Sequence, residues 1–399
     1  MTRSPKILPP WLLGWGYLPF AVNAAVSLIA IPDLLASSHV PEAQIATVTS
    51  LYLAGGFLVI PISPLLDWRF SRRSYAIAFA VLTALCTFGA LILIPNAPLF
   101  TATFFLSGIT STMYANAVGG WFGDLVPTEK KDSLGGWFQA VNFGGTGVAA
   151  ALVIYLLRLL PQLSGQATVG ALTLLGLPLL LLTPCPPADR RLASESFRNF
   201  ARDVGLLFRR KNVHWALAIF LAPSASFALT NTISGFGQQF HTSDEMVGVL
   251  AGAGGAAAGA LGALLVPRLT RRISPVALYL LVGLVGAAFT LSLIAAPRDP
   301  AMFGVASLGE FFLQGAAFSA ANVITFRVIG HDNPLAATQF GVLIGASQIP
   351  LTYMQMIDGH AYDFGGIAGT FGADALISGA ACVILGLLYW RSNSKIAVA

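Results

Sequence analysis

Residues 67–73 read DWRFSRR, and residues 266–272 read VPRLTRR. Each stretch closes a long apolar run and each ends in two arginines. At the same offset ahead of them lie Ala54-Gly55-Gly56 and Ala253-Gly254-Gly255. A pattern written twice in phase points to an internal duplication. One difference stands out: the first copy carries an acid, Asp67, where the second has Val266.

The runs around these copies settle the solvent. Of the 399 residues, 56% are hydrophobic and 10% charged, whereas a soluble domain carries roughly a quarter charged residues. Long uncharged stretches therefore read as membrane spans of about 20 residues. In lipid the backbone must satisfy its own hydrogen bonds, so the spans are helices. Cys86, Cys185 and Cys382 fall in or beside apolar runs in no metal or redox pattern, and read as small apolar fillers. No metal or cofactor is implied. Arg3, Lys6 and the small residues of VNAAV mimic a signal peptide. The apolar run continues to about Leu35, however, so it reads as a retained first span.

Twelve such segments stand out, near 11–35, 43–66, 74–94, 99–123, 134–157, 167–185, 213–236, 246–267, 276–296, 301–325, 335–358 and 367–390. With a cytoplasmic N-terminus, every basic residue except Arg158 and Arg298 falls on the inner side. That is the positive-inside rule, and it supports both the count and an orientation with both termini inside. The net charge of +5 thus marks topology near anionic headgroups, not nucleic acid. The longest hydrophilic stretch, 186–212, can lie on the membrane as an amphipathic helix with Leu192, Phe197, Phe200, Val204, Leu207 and Phe208 on one side. It divides the chain into bundles 1–185 and 213–399. A second echo, SLGGWFQAVNFGGTG at span five against PLAATQFGVLIGASQ at span eleven, pairs Gly144 with Gly345 and Thr146 with Ser347. Parallel six-helix repeats of this kind give an all-α membrane protein of two pseudo-symmetric bundles.

PLLDWRFSRR resembles the signature loop Gly-x-x-x-Asp-Arg-x-Gly-Arg-Arg between the second and third helices of the major facilitator superfamily. Ser63 stands at the Gly position, Asp67 is the acid, Arg69, Arg72 and Arg73 are the bases, and Trp68 is an extra residue. LVPTEKKDSLGG (125–136) is similar to the family's four–five loop, with Lys131 for its usual Arg. SPLLD and NPLAATQFGVLIGASQIP (333–350) resemble the branch of muropeptide permeases, acetyl-CoA transporters and some siderophore permeases, although Val59 replaces that branch's usual Lys. The resemblance implies a transporter whose Asp67 meets the N-terminus of span eleven and latches the outward-facing state. Arg69, Arg72, Arg73, Arg268, Arg271 and Arg272 are the latch's candidate bases. Val266 would make it one-sided, and an unpartnered surface Asp is the alternative.

Polar groups inside apolar helices usually face the bundle interior or a wet cavity. Asn23, Asn116, Gln139, Asn142, Asn231, Gln314, Asn322 and Gln348 are candidates for a substrate pathway, with helix–helix packing as the competing role of each. Glu310 is the one acid placed well inside a span, with Asp374 near the outer start of span twelve. Desolvation disfavours a charged carboxyl, which makes Glu310 the candidate proton carrier and Asp33 the second. A neutral packing donor and a counter-charge for a cationic substrate remain as other roles for Glu310. No Lys or Arg lies at mid-membrane depth, so the expected solute is neutral, zwitterionic or amphiphilic rather than multiply anionic. The partners are then a small solute, protons and the bilayer, with the chain acting as a monomer. Rival readings are an exporter of drugs or metabolites, a membrane-embedded enzyme, or a non-transporting receptor. The histidines sit at span ends and no catalytic constellation appears. Arg outnumbers Lys, pointing to a GC-rich bacterium and its inner membrane.

Overall fold

The computed structural model describes residues 7–185 and 197–396. Arg3, Lys6, Arg190, Arg191 and Leu192 lie outside them, as do the side chains of Phe197, Arg198, Phe200 and Lys395. The described residues are helical, with no strand among them. The helices are α1 Pro10–Ser37, α2 Glu42–Ile62, α3 Arg72–Leu93, α4 Ala97–Leu125, α5 Lys131–Leu159 and α6 Gln162–Leu182. There follow α7 Phe197–Leu207, α8 Lys211–Leu221, α9 Asp244–Leu269, α10 Pro275–Ile294, α11 Pro300–Ile329 and α12 Ala336–Ile396.

Local chemistry explains several starts. Ser71, Asn96, Ser243 and Ser274 each accept a backbone N–H three residues on, capping α3, α4, α9 and α10, so each offsets one of the orphan donors of a helix N-terminus. Among the described residues, nine helices are long and apolar enough to cross a membrane. The 29-residue α4 is about 43 Å long at the usual rise, but its Ser, Thr, Gly and Asn content keeps it off that roll. Large apolar side chains, among them Val148, Leu182 and Leu261, are well exposed.

Two expectations about spans are corrected. Residues 213–236 are not one α-helix. The helix α8 stops at Leu221, Pro223 follows, and Ala225 and Phe227 take left-handed backbone conformations (φ 55° and 51°). Short 3₁₀ turns then run over Ala228–Asn231 and Ile233–Phe240. Pro lacks the N–H that would continue the ladder, and the Ser- and Gly-rich sequence beyond it favours turns. Span eleven also does not end at 358. The chain stays helical to the break at Gly366 (φ 56°), which moves Asp358 and Asp374 well inside their helices.

Two compact units emerge. One comprises Met1–Arg210 with Phe326–Gly345, the other Lys211–Thr325 with Ala346–Ala399. In the first, Trp121, Phe122, Phe138, Phe326 and Phe340 form a buried aromatic core, with Phe138 edge-on to Phe326 at 5.3 Å and Phe326 stacked on Phe340 at 5.6 Å. In the second, Leu229, Phe236, Phe240, Phe303 and Phe371 are buried together.

Candidate functional site

The first site gathers at the junction of α11 and α12 within the first unit. Asp67 is the last residue of a short 3₁₀ turn, Ser63–Asp67, that continues directly from α2. Its carboxylate is fully buried and accepts from Arg72 Nε at 2.7 Å. The same carboxylate accepts the backbone N–H groups of Ala337 (3.2 Å) and Thr338 (2.6 Å) in the first turn of α12. A carboxylate at a helix N-terminus offsets the dipole and its orphan donors together. Arg72, also fully buried, donates further to Asp124 Oδ2 at 3.1 Å and to the Asn333 carbonyl at 2.6 Å. Asp124 Oδ1 accepts the Asn333 N–H at 2.7 Å. These are charge-assisted bonds, the stronger class.

The opposite charge holds the other end of the same turn. Lys131 is fully buried, and its ammonium donates to the carbonyls of Phe326 (2.8 Å) and Gly330 at the C-terminus of α11. Arg327 donates both prongs of its guanidinium to Asp132, at 2.8 and 2.6 Å. Residues 330–335 are thus clamped by an anion on the helix start that follows and a cation on the helix end that precedes. Gly120 makes the approach feasible, because a Cβ there would collide with the backbone of Ala336 and Ala337.

Of the candidate latch residues, the structure brings Asp67 and Arg72 together. Arg69 is exposed at φ 72°, and Arg73 donates to the Leu181 carbonyl at 2.9 Å. Arg268, Arg271 and Arg272 are exposed, and Val266 is buried where the first copy has its acid. Sequence reasoning missed Asp124, Lys131 and Asn333 as members. The available signal was the pairing of Asp124 with the KKD of the four–five loop, which motif matching treated as a mere variant.

The second site lies in the other unit. Glu310 on α11 is 1% exposed; Oε1 accepts from Thr290 Oγ1 at 2.5 Å, and Oε2 has no partner. Asp358 and Asp374 are similarly buried, with Asp358 Oδ1 and Oδ2 and Asp374 Oδ1 unpartnered. Each Asp lies about 12 Å along the helix from Gly366, and Glu310 about 15 Å from Pro300. The three carboxyls are close enough to act on one another electrostatically. Asp33, by contrast, is half-exposed and ion-paired with exposed Arg158 at 3.2 Å.

The candidate amides divide. Asn23 is saturated: it donates to Thr87 (2.9 Å) and Ser107 (2.7 Å) and accepts from Tyr52 (2.8 Å), tying four helices. Gln314 donates to Thr230 at 2.7 Å and to the Phe227 carbonyl. Asn116, Gln139 and Asn322 are buried, Asn142 and Gln348 half-buried and Asn231 exposed, and Gln348 donates to Ser347 at 3.3 Å.

A sequence profile of the Major Facilitator Superfamily matches residues 13–351. The chain belongs to this superfamily. It is a transporter in family and fold, and not an enzyme. No curated protein matches the chain in sequence. Solved structures that it resembles include the E. coli fucose:proton symporter FucP, at 19% identity over 96% of this chain and 99% of that one, TM-score 0.74. The human organic anion transporter MFSD10 matches at 14% identity over 94% and 98%, TM-score 0.74. The proton:xylose symporter XylE matches at 14% over 96% and 94%, TM-score 0.68. At these identities the likeness is one of fold. The charged clamp at 67–72, 124–131 and 326–338 and the buried carboxyls of the other unit are the two polar clusters this member of the superfamily carries.

Proposed function

We propose that this superfamily member is a secondary active transporter that moves a small neutral, zwitterionic or amphiphilic solute by alternating access, coupled to protons. The proposed topology is twelve spans with both termini inside, in bundles 1–185 and 213–399 joined by 186–212, in the inner membrane of a bacterium. Several features support the count. To the nine long apolar helices are added α4, the broken segment 211–240, and a second crossing within α12, whose 61 residues exceed what one span of about 20 needs. The one-sided distribution of basic residues supports the orientation. The motifs at 63–67 and 333–350 favour the muropeptide, acetyl-CoA and siderophore permease branch.

Alternating access needs an element with two arrangements. The Asp67–Arg72–Asp124 clamp on residues 333–338 is the tied arrangement of that element, and we assign it the latch role. The observation that carries the coupling is Glu310: a buried carboxyl with one oxygen on Thr290 and, among the described residues, the other unpartnered and no basic group paired with it. Such a carboxyl can hold a proton while dry and release it when its surroundings become wet. Glu310→Gln should abolish accumulation of solute against a gradient in proteoliposomes yet leave exchange intact. Concentrative uptake persisting in that variant would remove Glu310 from the coupling role.

A further inference from the structure

The break after α8 is built around a small space that the coupling role of Glu310 does not use. Residues 222–227 are irregular backbone, which membrane depth tolerates only where it is buried in protein or lines a wet cavity. Ala225 and Phe227 hold left-handed conformations, which the surroundings must hold in place. Those surroundings are specific. Tyr279 donates to the Ser224 carbonyl at 2.8 Å, and Gln314 reaches the Phe227 carbonyl. Gly283 and Gly286 on α10 leave room for the segment: a Cβ on the first would meet Ala225 and Cys382, and on the second the Phe227 ring.

Against this segment lies a small cavity lined by Ser226, Thr290, Asp374 and Ser378 among others, with room for about one water molecule. Ser378 lies four residues after Asp374 on α12, hence on the same face. Ser226 Oγ, Ser378 Oγ and Asp374 Oδ1 are all buried and have no partner among the described residues. Three unsatisfied oxygens around one space are costly unless something occupies it. The wall offers oxygen and neither nitrogen nor sulfur, which selects a hard cation. It offers one carboxylate, and among the described residues no trio of His, Cys, Asp or Glu is arranged to hold a metal ion, so the charge suits a monovalent ion rather than a divalent one. Other charges nearby are accounted for. Glu310 is held by Thr290, the Asp358 carboxylate makes no hydrogen bond to Asp374 among the described residues, and Arg298 lies over the rings of Phe240 (4.9 Å) and Phe371 (5.7 Å).

We propose that this cavity binds a monovalent cation of sodium size, held by the Asp374 carboxylate and the hydroxyls of Ser226, Ser378 and Thr290 at the discontinuity of the helix. Unwound helices that meet a coupling ion are a recurrent device of secondary transporters. Thr290 faces both this cavity and Glu310, so the ion sits beside the proposed proton carrier, but its binding stands independently of that role.

The test uses the full-length protein purified in detergent, with thermal unfolding followed in NaCl, KCl and choline chloride at equal ionic strength. Sodium should raise the midpoint with the logarithmic concentration dependence of a ligand that binds only the folded state, and potassium and choline should not. Asp374→Asn should lose the response, and Arg271→Gln, at an exposed site of the second copy, should keep it. Ser226→Ala and Ser378→Ala should each raise the half-saturating concentration roughly tenfold, the loss of one neutral oxygen contact. An equal response to all three salts, no response at all, or an unaltered one in Asp374→Asn would overturn the site. If Asp374→Asn does not fold, unchanged half-saturation in both serine variants overturns it instead.

Discussion

Replacing Asp67 by Asn keeps the shape of the clamp and removes its charge. The wild-type carboxylate accepts three bonds, from Arg72 and from the N–H groups of Ala337 and Thr338. An asparagine can accept with one atom only, and its amide would set a donor against a donor. Arg72 would keep Asp124 and the Asn333 carbonyl but lose the partner of its Nε. Removing one member of a buried ion pair costs about 3–5 kcal/mol. That cost falls on the tied arrangement, because in the parted one the side chain meets water. The ratio of tied to parted should therefore fall by roughly two to three and a half decades. The assay is labelling of a single cysteine, Thr338→Cys, in a variant lacking Cys86, Cys185 and Cys382, by a membrane-impermeant maleimide. Thr338 is fully buried in the clamp, so labelling reports the parted population. Asp67→Asn should accelerate labelling at least about tenfold, saturating once the parted state dominates. Arg271→Gln, at an exposed site of the second copy, serves as the control and should leave the rate alone. Labelling of Asp67→Asn within about twofold of the parent, well under the tenfold that 1.4 kcal/mol gives, would refute the latch.

Other substitutions probe the neighbouring contacts. Gly120→Ala would drive a methyl into the Ala336–Ala337 backbone; overpacking of this kind costs about 1–3 kcal/mol, and the same maleimide assay should show faster labelling. Lys131→Met removes the cation on the α11 carbonyls and should also speed labelling, whereas Lys131→Arg should preserve most of the clamp. Asn23→Leu strands the Tyr52, Thr87 and Ser107 hydroxyls and should lower the thermal midpoint, by about 1–3 kcal/mol of stability. Asp33→Asn breaks only an exposed ion pair, worth at most about 1 kcal/mol, and should leave both the midpoint and proton coupling nearly unchanged.

Much of this was legible before any coordinates, because the bilayer imposes regularities that sequence records directly. Hydropathy gave the long helices, and the resemblance of DWRFSRR to the superfamily's signature loop implied that Asp67 meets the helix that begins near 336. What escaped has a physical cause. Pro223 lies in an apolar run, and hydropathy cannot distinguish a kinked helix from one that stops. The apolar run read as span eleven ends near 358, whereas the helix continues past it to Gly366. The role of Lys131 depends on which carbonyls α11 leaves open at its end, a tertiary fact that local pattern does not carry. Asn23 looked like a pathway residue and is instead saturated by hydroxyls from three other helices, contacts that only packing brings together.

The most direct measurement is uptake by proteoliposomes containing only this protein, using a solute first found by its stabilisation of the folded state and an imposed pH gradient. Solute should accumulate above its outside concentration while the gradient lasts, and leak back when a protonophore collapses it. Uptake that merely equilibrates, indifferent to the gradient and the protonophore alike, would contradict proton-driven alternating access.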